Sequence, residues 1–151
     1  MMSSMTTRTP YDAMRRLASA ATVTTLAGIA ALHALWGTGS TFPFAGREQL
    51  NDTVIGRRAT PSPAACYGVA GLLATASALV GGLPRRESRL RRAGVCLVTV
   101  TLGVRATLGF AGRTEVVSPG STSEHFREMD RRLYAPLCLA LAIGAASSLR
   151  G

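Results

Sequence analysis

Where the arginines fall constrains this chain more than any other feature. All seventeen basic residues are arginine, and all but Arg105 lie outside four long apolar runs. The runs are Leu17–Trp36, Ala64–Leu83, Ala93–Gly112 and Leu133–Leu149, and Arg105 is the one charge inside them. A helix rises 1.5 Å per residue, so about twenty apolar residues cross a hydrocarbon layer of roughly 30 Å. Charges swept to the ends of such runs predict helices that span a membrane.

Composition agrees with this. Charged residues make up 17% of the 151 residues and mean hydropathy is +0.23, whereas soluble domains carry about 25% charge. One domain, residues 1–151, accounts for the length. A net charge of +9 does not point to nucleic acid, because the arginines flank apolar runs and no basic face is interleaved with aromatics. Coding bias toward arginine explains the absence of lysine. Arg15-Arg16 before the first run has the form of a signal peptide. The run is too long for one, however, and no small-x-small cleavage site precedes Trp36. Cys66, Cys96 and Cys138 sit in apolar runs without metal-ligand or disulfide spacing and read as packing residues. No metal or cofactor is implied.

The connections orient the chain. The N-terminal segment, the connection 84–92 and the C-terminus hold nine arginines and two acids. The other two loops, 37–63 and 113–132, hold seven arginines and six acids. Arginine excess marks the cytoplasmic side, and short loops such as Arg85–Arg92 count most. The expectation is a multi-pass cell-membrane protein with both termini cytoplasmic. Its fold is all-α, an integral membrane antiparallel four-helix bundle. Small residues in the second run (Gly68, Ala70, Gly71, Ala74, Ala76, Ala78) and the fourth (Ala140, Ala142, Gly144, Ala145, Ala146) would let the helices approach closely.

Several polar residues need a reason. Arg105 lies roughly 18 Å along the third run, where an arginine either snorkels outward or faces an interior partner. His33 and Trp36, three apart, share one helical face at the far end of the first run. Trp36 also fits an interfacial aromatic belt and His33 an interhelical hydrogen bond. Glu124–Arg132 packs three acids, three arginines and a histidine immediately before Tyr134, with Pro136 expected in the first turn of the fourth helix. The ends of runs one and three and the start of run four share one membrane face. His33, Trp36, Arg105, Asp130 and Tyr134 are therefore expected around one mouth, as a site or as a polar lock between helices.

Three stretches resemble a family of small bacterial four-helix membrane proteins known as domain of unknown function 3995. They are AALHALWGTG (Ala30–Gly39), GVRATLGFAGRT (Gly103–Thr114) and FREMDRRLYAPLCLAL (Phe126–Leu141). The last carries Asp130, Tyr134, Pro136, Leu137 and Cys138 together. After Arg105 the chain departs from the family's more polar, aromatic stretch, with Ala106–Phe110 in its place. The resemblance implies the architecture and no reaction.

The specific functional expectation is a metal-independent membrane cyclase or isomerase acting by acid catalysis on an epoxy-isoprenoid. Asp130 would serve as acid, with Glu128 or Glu115 as substitutes. His33 or Tyr134 would take the final proton, and the Trp36 ring would stabilise cationic carbon. Arg105 and Arg131 complete the substrate-binding set. The alternative is a non-catalytic accessory protein, paired with a membrane or pathway protein, or an anionic-lipid-binding module using Arg105, Arg131 and Arg132. A transporter fits least, since no inverted repeat or broken helix is present. The expected partners are a membrane and a lipophilic small molecule or lipid.

Overall fold

The computed structural model describes residues 10–57, 59–83 and 88–150. Arg58 and residues 84–87 of the arginine-rich connection lie outside the described residues, as does the segment before Pro10. The described chain is all-α. Helix α1 runs over Pro10–Gly37, α3 over Pro63–Val80 and α4 over Arg89–Phe110, and each is long and apolar enough to cross a membrane. Their starts follow from local chemistry. Proline opens α3, where a missing N–H costs nothing. The hydroxyls of Ser62 and Ser88 accept from the amides of Ala65 and Arg91 and cap α3 and α4.

The last helix departs from expectation. A polar loop up to Arg132 was expected before a helix starting at Leu133. Instead helix α6, Glu124–Met129, begins under a Ser123 cap and passes without a break through a π-helical turn, Asp130–Tyr134, into α7, Ala135–Ser147. Loss of polarity marks where lipid could begin, not where helix begins. Pro136 therefore sits well inside a continuous helix. Its ring would clash with the carbonyl four residues back in a regular α-helix, and a widened turn immediately before it relieves that crowding. By itself α7 is 13 residues long, about 20 Å at 1.5 Å per residue and short of a full span.

Short elements occupy the connections that were expected as loops: α2 (Arg47–Leu50), continued by a second π-helical turn (Asn51–Ile55), and α5 (Thr114–Val117). Among the long helices α1 packs on α3 and α7, and α4 packs on α7 and α3. One cavity is lined by the start of α1, the end of α3, the start of α4 and the end of α7. Neighbouring helices therefore run antiparallel.

Leu26, Ala76, Val80, Leu141 and Ala145 form the buried centre. Large apolar residues point outward elsewhere, with Leu72 73% and Leu97 67% exposed. Water would penalise such a surface, while lipid would not. Small residues do bring helices close, at fewer places than expected. A Cβ on Gly144 would fall on the Thr22 hydroxyl of α1, whereas Gly68 and Gly71 face open space. Ser77 of α3 donates to the Val23 carbonyl of α1 at 3.0 Å and ties that pair together.

Candidate functional site

Arg105 on α4 and Asp130 at the start of the π-helical turn form an ion pair, Arg105 Nη2 donating to Asp130 Oδ1. The Asp130 side chain is wholly buried and that of Arg105 is 20% exposed. Arg105 thus turns inward to a partner instead of snorkelling. Gly109, one turn beyond Arg105, makes room for the pair. A Cβ there would lie 2.7 Å from the Ala135 Cβ and 3.0 Å from both Arg105 Nη1 and Asp130 Oδ2. Those last two atoms are buried and have no hydrogen-bond partner among the described residues. Asp130, placed this way, is wholly enclosed by protein.

The connection between α1 and α3 and the one between α4 and α6 are stitched to one another around Asn51–Ile55. Tyr134 donates its hydroxyl to the Thr53 carbonyl at 3.0 Å, and Ser118 donates to the Ile55 carbonyl at 2.8 Å. The amides of Thr122 and Ser123 donate to the Gly56 carbonyl. Gly56 has φ +74° and lies under the Phe126 ring, where a Cβ would come within 2.5 Å of the aromatic carbon Cδ1. Both the left-handed backbone and the close approach require glycine. Phe126 also packs against Tyr134, with ring centroids 6.2 Å apart. The phenol of Tyr134 is engaged in holding Arg47–Ile55, which forms a lid, to the helices.

Beneath the lid, between the end of α1 and the start of α3, lies a pocket of about 130 Å³. Its walls are mostly apolar: Leu50, Val54 and Ile55 from the lid, Cys66 and Val69 from α3, and the rings of His33 and Trp36. The His33 Nδ1 sits 2.9 Å from the Ile29 carbonyl. A carbonyl can only accept, so Nδ1 carries the hydrogen of that bond and Nε2 is the acceptor of the neutral ring. The Trp36 indole donates to the Phe42 carbonyl at 2.7 Å, and its ring centroid is 4.9 Å from that of His33. Arg47 and Thr60 line the pocket as well and also line a larger, polar groove that opens outward.

The expected constellation therefore divides in two. His33 and Trp36 share the apolar pocket, while Arg105 and Asp130 form a lock between α4 and the last helix. Tyr134 and Thr53 join the halves through the lid. Arg131 is exposed and lies over Gly112, where a Cβ would meet its Nη2 at 2.9 Å. It belongs to neither half. Arg132 pairs with Glu128 at the surface at 3.0 Å. Sequence reasoning did not single out Arg47, Thr53, Gly109 or Phe126. Of these only Gly109 carried a signal, its spacing of four from Arg105.

The family described as "Protein of unknown function (DUF3995)" matches residues 26–145. The chain belongs to this family. The matched span of this DUF3995 protein begins inside α1, ends inside α7, and takes in the lid, the pocket and the ion pair. No curated protein and no solved structure matches the chain.

Proposed function

We propose that this DUF3995 protein crosses the cell membrane through α1, α3, α4 and the rod formed by α6 and α7, and holds the apolar end of a lipophilic small molecule under its lid. The observation that supports this is the apolar pocket walled by His33 and Trp36. At about 130 Å³ it suits a short branched hydrocarbon end, since whole drug-sized ligands take roughly 300–1,000 Å³. Trp36 is the chain's one tryptophan, so intrinsic fluorescence reports directly on the pocket. A brominated short-chain isoprenoid titrated into purified protein is expected to quench Trp36 saturably, and Val54→Phe, which fills the pocket, to abolish the saturable part. Quenching that rises linearly in both proteins would sink the reading.

A second reading draws on the two rings themselves: metal-independent cyclisation or isomerisation of an epoxy-isoprenoid. A protonated His33 gives its proton to the epoxide oxygen and the C–O bond breaks. The alkene then attacks the resulting carbon cation beside the Trp36 face, and loss of a carbon-bound proton to the imidazole restores the starting state. Asp130 and Tyr134 act in this scheme as positioning residues. Product analysis should show turnover abolished in His33→Ala and retained in folded Asp130→Asn. The reverse pattern would return the acid to Asp130. Binding without turnover in any variant leaves the first reading, a binding or accessory protein, in place.

The proposed orientation has both termini in the cytoplasm, following the arginine excess of the connections. A C-terminal fluorescent-protein fusion is expected to fluoresce and a C-terminal periplasmic-phosphatase fusion to be inactive. An active phosphatase would invert the topology.

A further inference from the structure

At the opposite end from the lid, the start of α1, the end of α3, the start of α4 and the end of α7 line a second cavity of about 180 Å³. Arg15, Arg16 and Arg91 line it, and among the described residues no carboxylate does. Three guanidinium groups around so small a space repel one another unless an anion lies between them. Among the described residues, their contacts place no anion inside the cavity itself. The Arg15 Nε is buried and has no hydrogen-bond partner among the described residues, and the Asp12 carboxylate lies 3.8 Å from Arg15 Nη1. The Arg91 Nε donates to the Leu79 carbonyl at 3.1 Å, which fixes its guanidinium at the rim. Ser147 and Ser148 also line the cavity but give their hydrogens to the carbonyls of Gly144 and Ala145. Recognition therefore falls to the arginines, whose planar forks match phosphate oxygens in pairs.

We propose that this cavity binds a phosphate-bearing anion, delivered either as a phospholipid headgroup or as a free phosphate. Its position suits the first source. The arginines stand at the ends of apolar helices, at the level where headgroups of anionic lipids would lie, and basic pockets between helix ends bind such groups. The site is separate from the lid pocket, and neither proposal depends on the other.

Native mass spectrometry of the full chain, released from detergent doped with phosphatidylglycerol or phosphatidylcholine, tests the lipid source. Thermal shift with inorganic phosphate tests the free one. The expected result is one retained phosphatidylglycerol in preference to phosphatidylcholine, weakened about fivefold by each of Arg16→Gln and Arg91→Gln and preserved in Arg15→Lys. Arg16 is exposed, so its variant should remain folded and carry the test if changes at Arg15 destabilise the protein. Stabilisation by inorganic phosphate that Arg16→Gln removes, without a lipid preference, supports the free-phosphate source. If neither probe distinguishes wild type from Arg16→Gln and Arg91→Gln, the site does not exist.

Discussion

Asp130→Ala is expected to cost the protein about 3–5 kcal/mol of stability, measured by titrated unfolding from mild detergent into dodecyl sulfate. Removing one partner of a buried ion pair leaves the other charge uncompensated where water cannot reach it. Here the stranded group is the Arg105 guanidinium, 20% exposed beside a carboxylate that is wholly buried. Asp130→Asn keeps the shape and one acceptor for Arg105, so its loss should be smaller than that of the alanine variant. Replacing both partners together, Arg105→Met with Asp130→Leu, should recover much of the loss, because an apolar pair of similar volume needs no compensation.

The surface pair Glu128–Arg132 supplies the control. Its side chains are 54% and 77% exposed, and Glu128→Gln should cost no more than about 0.5 kcal/mol. Salt should weaken the Glu128–Arg132 contact and leave the Arg105–Asp130 contact nearly untouched. If Asp130→Ala proves no more harmful than Glu128→Gln, the two helices are not locked by this pair.

The position of Arg105 along its helix was legible in the sequence because depth follows directly from counting residues at a fixed rise. So was the choice it faces, an interior partner or a snorkelling side chain, since a lone charge among apolar residues is costly. Which neighbour would provide that partner depends on azimuth, the direction in which a residue points around its helix. An amphipathic soluble helix reveals azimuth through its polar face, but the runs here are apolar all round. His33 and Asp130 were accordingly placed at the same level and expected to meet. They lie instead on different helix pairs, one beside α3 and the other beside α4.

The lid over Arg47–Ile55 was hidden for a related reason. Nine residues of mixed polarity show no period, and what holds them and the following Gly56 is a set of long-range bonds to Tyr134, Ser118, Thr122 and Ser123. The continuous helix from Glu124 was concealed by its polarity, although Ser123 is an ordinary capping residue. Both π-helical turns fall where the lid meets the last helix. An ordinary α-helical turn at either place would rotate the following residues and misalign Tyr134 with Thr53.

Gly109→Ala is the second substitution with a large expected effect, and it separates close packing from helix propensity. Alanine is the better helix former by about 1 kcal/mol, so at an open glycine the change should be neutral or mildly stabilising. Gly103 on the same helix is such a position, with nothing within 4 Å of its would-be Cβ. At Gly109 the added methyl meets the Ala135 Cβ at 2.7 Å and both buried atoms of the ion pair at 3.0 Å. None of these is the free end of a flexible chain. Ala135 is fixed on the opposing helix and fully buried, and Arg105 and Asp130 hold each other. Overpacking of this kind costs about 1–3 kcal/mol, and the ion pair should lengthen as α4 and α7 are forced apart. Ala135→Gly removes the nearest obstacle, so the double variant Gly109→Ala with Ala135→Gly should regain stability despite carrying a new glycine in a helix. That rescue is the outcome to look for in the same unfolding titration. If Gly109→Ala matches Gly103→Ala, or if Ala135→Gly merely adds its own cost, α4 and α7 do not meet at this glycine.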